Sequence, residues 1–142
     1  MNGDILTDLD LGEFYEKAVT TPAALTAVTT EVEWTSPFGE VRGTGDRIDL
    51  VDEKPVRRVE ILAGIYLLEL SALAAVPRDT LYGIDQLITE LVTRGLDVRR
   101  SLTRRYWRDI GRPADYEAAA KEYAERFGHL GIRTVGDANA AA

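Results

Sequence analysis

A chain of 142 residues, 45% hydrophobic and 29% charged, has the size of one domain and enough apolar content to bury a core without a disulfide or a metal. It has no cysteine, which excludes disulfides, thiolate zinc sites, iron–sulfur ligation and cysteine nucleophiles, and its single histidine, His129, excludes HExxH and other multi-histidine metal sites. The formal charge of -7 disfavours attraction to nucleic acid or anionic lipid over the surface as a whole.

The absence of cysteine fits a cytoplasmic protein, and the opening MNGDILTDLD is acidic and lacks the basic and apolar regions of a signal peptide. Leu11, Phe14, Tyr15, Ala18 and Val19 then recur at helical spacing, with Asp10 placed to cap the helix and Glu13 in its first turn. Thr21-Pro22 has the form of an N-cap followed by proline, so a further helical turn is expected through Ala23 to Ala27.

From Thr30 the period falls to two. Val32 and Trp34 alternate with Glu31, Glu33 and Thr35, Ser36-Pro37-Phe38-Gly39 supplies turn residues, and a second strand runs from Val41 through Ile48 and Leu50. Gly43 and Gly45 in that strand suggest a bulge or a close backbone approach. Asp52 to Pro55 turns the chain again.

Val59 to Val76, VEILAGIYLLELSALAAV, holds the greatest hydrophobic weight and is read as a central helix about 27 Å long, with Pro77 ending it. Glu60 and Glu69 inside it, and basic residues on both flanks, argue against membrane insertion. Leu81, Ile84, Leu87, Ile88, Leu91 and Val92 form the stripe of the next helix, Glu90 and Arg94 make a favourable i, i+4 pair, and Gly95 stops it. Val98 to Ile110 reads as an arginine-rich helix with a narrow apolar seam, and Asp115 to Phe127 as a last amphipathic helix. Leu130, Ile132 and Val135 are expected to form a short strand. The expected class is therefore α+β and mostly helical. A β-hairpin, or a small three-stranded sheet, packs on the central helix and on further C-terminal helices, in one domain over residues 1–135 with a disordered tail at 136–142.

The sharpest chemical feature is Arg94 to Arg112, where seven arginines against two aspartates leave a window of +5 in an acidic chain. On a helix over 98–110, Arg100, Arg104 and Arg108 align at i, i+4, i+8, with Arg105 beside them and Trp107 on the same broad face. Arginine forks beside an aromatic suit phosphates and stacked bases; they equally suit carboxylates on a neighbouring protein. These five residues are the expected partner-binding surface. The partner is a protein or a second copy of the chain, and nucleic acid is the alternative.

Val41 to Leu62, VRGTGDRIDLVDEKPVRRVEIL, resembles the strand–turn–strand core of the PD-(D/E)xK nucleases. The resemblance implies Asp46 or Asp49 as the first metal-holding acid and Glu60 as the second, but Leu62 stands where that family has its catalytic lysine, so the implied nuclease is degenerate. The other reading of these residues is a glycine-turn hairpin with surface carboxylates. RGTGDR lacks both phosphate-loop spacing and a following helix N-terminus. No residue is assigned to catalysis, to a metal or to a cofactor, and the expected function is a non-enzymatic subunit that self-associates or docks into a larger assembly.

Overall fold

The computed structural model describes residues 1–128, and their contacts gather into two compact units: residues 9–105, and Asn2–Asp8 together with residues 106–128. The first unit runs through α1 (Leu11–Val19), β-strand Leu25–Thr35, a hairpin of strands Glu40–Thr44 and Arg47–Asp52, strand Val56–Leu68, a 3-10 turn Leu70–Ala75, α2 (Ile84–Thr93) and strand Val98–Thr103. The second contains strand Ile5–Thr7, strand Trp107–Asp109 and α3 (Pro113–Phe127). In chain order the strands are β1 (Ile5–Thr7), β2 (Leu25–Thr35), β3 (Glu40–Thr44), β4 (Arg47–Asp52), β5 (Val56–Leu68), β6 (Val98–Thr103) and β7 (Trp107–Asp109).

With 37% strand against 31% helix, the fold is sheet-rich, and the expectation of a mostly helical domain built on a central helix is wrong. Val59–Val76 is the far part of β5 followed by the 3-10 turn. A strand buried over part of its length reads as a continuous apolar run, as a buried helix does, and periodicity does not separate the two. The local chemistry favours the strand. Gly64 sits at φ +73°, outside the helical region, where β5 carries extra residues opposite Val28 in the pairing between Ala27↔Tyr66 and Thr29↔Leu62.

In the first unit β2 is the middle strand of the order β5-β2-β6, antiparallel to β5 and parallel to β6. Leu25 to Thr30 are buried on both faces, so β2 lacks alternation there and shows it only farther along. Ala23–Ala27 therefore leads into and begins a strand, not the helical turn read from Thr21-Pro22. The core packs Leu25 and Ala27 of β2 against Ala72 and Ala75 of the 3-10 turn and Leu87 and Leu91 of α2, with Tyr66, Ile88 and Val98 around them. β2 does not pair with the strand after Ser36-Pro37-Phe38-Gly39. β3 pairs instead with β4, turning at Gly45 (φ +58°) with an irregularity at Arg42/Gly43, and β2 pairs with β5 beyond that inserted hairpin.

The expected ends of α1 and α2 are present in altered detail. Asp10 accepts from the backbone N–H groups of Gly12 at 2.8 Å and Glu13 at 3.0 Å, which caps α1. α2 is capped at Gly83, where the Gln86 side chain takes the Gly83 N–H at 2.8 Å. Gly95 at φ +72° ends it, and Arg94 meets Glu90 at 2.7 Å. Among the described residues no helix is long and apolar enough to cross a membrane. His129, the strand expected over Leu130–Val135 and the tail at 136–142 lie outside the described residues.

Candidate functional site

The arginine-rich stretch is not a helix. Its residues form β6, a turn and β7, so the i, i+4, i+8 alignment of Arg100, Arg104 and Arg108 does not exist. The stretch lacks a wide apolar stripe, and its place beside β2 in the sheet decides its form. Arg100 on β6 pairs with Glu60 on β5. Arg104 and Arg105 follow β6 and, with Lys17, Asp10, Glu13 and Phe14, line an open groove of 280 Å³ in the first unit. Arg108 belongs to the second unit, as does Trp107, half-buried in β7 opposite Thr7. The helical face expected to join the five residues therefore does not exist.

The acids of the nuclease-like stretch fall on different elements. Asp46 lies in the β3–β4 turn, Asp49 meets Arg47 at 3.1 Å, and Glu60 meets Arg100. Among the described residues no group of three or more histidines and acids is arranged to hold a metal.

A different pair of carboxylates converges in the second unit. β1 and β7 pair antiparallel over three residues each, with Ile5 opposite Asp109, Leu6 opposite Arg108 and Thr7 opposite Trp107. The ladder continues where the Ile110 N–H donates to the Asp4 carbonyl at 2.8 Å, and the Thr7 hydroxyl donates to the Tyr106 carbonyl at 2.6 Å. This register brings Asp4, just before β1, beside Asp109 at the end of β7. A Cβ at Gly111 would lie 3.1 Å from Asp109 Oδ1 and 3.2 Å from Asp4 Oδ2, so both carboxylates front the one small volume that glycine leaves open. Asp109 Oδ1 also accepts the Gly111 N–H at 2.8 Å, which orients that carboxylate.

Behind β7 stands a polar cluster on α3. Glu122 accepts from the Tyr106 hydroxyl at 2.8 Å through one oxygen and from Arg108 at 2.8 Å through the other. Arg108 Nε also donates to the Tyr106 oxygen at 3.4 Å, and its Nη1 lies 3.8 Å from Asp115. The Tyr106 ring packs edge-on to Phe127 at 5.8 Å between centroids, with the Arg126 guanidinium 4.4 Å from its centre. Burial, then the bond to Glu122, pushes the Tyr106 hydroxyl above its ordinary value. Arg108 is pushed up too, first by its bond to the Tyr106 oxygen and, against a cost of burial, by the charge of Glu122.

Sequence reasoning missed Asp4 and Asp109. The trace available was that each acid adjoins a short apolar or aromatic stretch, Asp4 before ILT and Asp109 after YWR, followed at Gly111 by a residue with no side chain. Two exposed oxygen donors match the habit of magnesium-type cations, which take one or two protein carboxylates and complete their shell with water and substrate phosphates. Asp4, Asp109 and the open space at Gly111 fit that requirement.

The chain matches the family model described as nucleotidyl transferase over residues 1–126. Among solved structures it is similar to HddC from Yersinia pseudotuberculosis, at 24% identity and a TM-score of 0.55, over 87% of this chain and 53% of that one. HddC complexed with GMP-PN gives 23% identity and a TM-score of 0.58, again over 87% and 53%. A putative glucose-1-phosphate thymidylyltransferase from Bacillus anthracis, crystallised with sucrose, gives 18% and 0.59, over 84% and 51%. At these identities the likeness concerns the fold, and the chain spans about half the length of each of those proteins. No curated protein matches it in sequence. The family match overturns the expectation of a non-enzymatic assembly subunit, and with it the nucleic-acid and nuclease-like alternatives. The chain belongs to the nucleotidyl transferase family.

Proposed function

We propose that the chain carries the cation-holding carboxylates of an enzyme that transfers a nucleotidyl group from a nucleoside triphosphate to a sugar 1-phosphate. The observation that carries this reading is the convergence of Asp4 and Asp109 on the open volume at Gly111. The substrate class is supported by the family match and by the likeness to a putative glucose-1-phosphate thymidylyltransferase.

In such a transfer a phosphate oxygen of the acceptor forms a bond to the α-phosphorus, and the bond to pyrophosphate breaks. Both partners are anions. A divalent cation, when bound, offsets their repulsion and the charge that gathers on the leaving pyrophosphate. The chain's own part is to hold the cation: Asp4 and Asp109 offer oxygen donors, the Ile110 to Asp4 backbone bond sets their register, and Gly111 leaves room for phosphate oxygens. A chain without cysteine fits a cytoplasmic place for this chemistry.

Arg104 and Arg105 keep a partner-binding role in this reading, toward a protein surface rich in carboxylates. They are exposed beside the groove with Lys17, and neither has an acidic side-chain partner among the described residues.

Pyrophosphate release from a nucleoside triphosphate in the presence of a hexose 1-phosphate tests the activity. Asp109→Asn should lower the rate at least ~100-fold, the upper end of what changes around a metal ligand cost. A variant turning over at the native rate would remove Asp109 from the chemistry.

A further inference from the structure

The β1–β7 ladder is three residues long on each strand, and Asp4 and Asp109 are both exposed at its end. A pair that short has little hold on its own register, and a slip of one residue turns every side chain of the strand to the opposite face. Backbone bonds at Asp4 and the Asp8 contacts with Tyr106 hold the ends of this ladder, and a side-chain tie from α3 adds to them in keeping Asp109 beside Asp4. Glu122 is placed to supply that tie. Its two oxygens take the Tyr106 hydroxyl and the Arg108 guanidinium, each at 2.8 Å, and those residues lie two apart on the segment that leads into Asp109. A slipped or rotated β7 cannot satisfy both bonds with one carboxylate.

We propose that Glu122 is a positioning residue for the Asp4–Asp109 pair, anchoring Tyr106 and Arg108 so that Asp109 faces the volume at Gly111. This rests on the cation-holding role given to those two aspartates. The clamp is charge-assisted on the Arg108 side and half-buried, with side-chain exposures of 29% for Arg108 and 35% for Glu122, so water does not fully compete for it. Arg126 and Phe127 hold the Tyr106 ring from the same helix, which keeps the hydroxyl within reach. Asp115, with Arg112 at 2.7 Å and Arg108 at 3.8 Å, braces the start of α3 but takes no bond from Tyr106. That leaves Glu122 as the acid joining both residues.

The test uses the full chain and Mn²⁺ as the probe, with affinity read from paramagnetic broadening of the Gly111 and Ile5 amide signals. Glu122→Ala should weaken Mn²⁺ by roughly 10-fold, the lower end of the cost of removing a group that orients a ligand. Glu122→Gln, which keeps an acceptor for Arg108 and a partner for the Tyr106 oxygen, should stay close to native. Tyr106→Phe, which keeps the ring and loses the hydroxyl, should fall between. Glu117→Ala, an exposed change on the same helix, should leave affinity unchanged. A folded Glu122→Ala that binds Mn²⁺ like the native chain overturns the proposal, because a role in packing alone lowers the melting temperature without altering the site. If Glu122→Ala does not fold, the other two variants decide: a Tyr106→Phe affinity equal to native overturns it. A native chain that does not broaden at Gly111 removes the cation site, and the positioning role with it; native broadening with unaltered variants removes the positioning role alone.

Discussion

Gly111 shows how much a single position can decide. A methyl group there would sit 3.1 and 3.2 Å from two carboxylate oxygens, tighter than ordinary contact, on a backbone that is not left-handed. Gly111→Ala should therefore fold normally and lose much of its Mn²⁺ broadening at Ile5, whereas an alanine variant that binds as well as native would mean the volume is not used. Tyr106 gives a pH dependence at the same scale. Its folded pKa is raised, so its contribution is fully present below the unfolded value of about 10 and is lost as pH rises through the higher folded value. The melting temperature should fall on that alkaline limb, and Tyr106→Phe should flatten the part of the fall that belongs to α3 and β7. The two aspartates were not legible beforehand because they are 2 of 24 acidic residues, and only the ladder of Ile5 with Asp109 brings them together. Asp10 as the cap of α1 was legible because capping depends on neighbours within three residues.

The same contrast between near and distant causes runs through the elements. α1, α2 and α3 were readable from their stripes, and of their ends the Asp10 cap of α1 and the Gly95 stop of α2 were readable too. β5 and β6 were not. β5 carries no alternation where it is buried, and β6 presents Arg99 and Arg100 to solvent in a pattern that a helix would also produce. Partner strands decide both, and those partners lie far along the chain: β6 runs beside β2, with Leu25 opposite Val98. Gly64 was the local warning in β5. Gly64→Ala places a β-carbon at φ +73° inside the buried irregularity and should destabilise the first unit by about 1–2 kcal/mol in denaturant unfolding. A change below experimental error would show that this backbone relaxes without cost.

Over the whole molecule, composition bears on the ligands that the proposed site can use. With no cysteine and one histidine, oxygen ligands were the only kind left for a divalent cation, and the site proposed here is made of them. The inference from unusual apolar content to a non-enzymatic assembly subunit failed on the family match; within Val59–Val76, Ala63, Ile65, Ala72 and Ala75 are buried, while Val59, Leu62, Leu70 and Leu73 stay exposed. The arginine-rich stretch was a real feature given the wrong geometry: Arg100 meets Glu60, Arg104 and Arg105 line the groove beside α1, and Arg108 joins the Glu122 cluster. The central claim is that Asp4 and Asp109 form one cation site. Titrating Mn²⁺ into the native chain, Asp4→Asn and Asp109→Asn while following all backbone amides tests it most directly. We expect broadening centred on Ile5, Ile110 and Gly111 in the native chain and its loss in both variants; broadening centred elsewhere, or persisting at Gly111 in either variant, would contradict it.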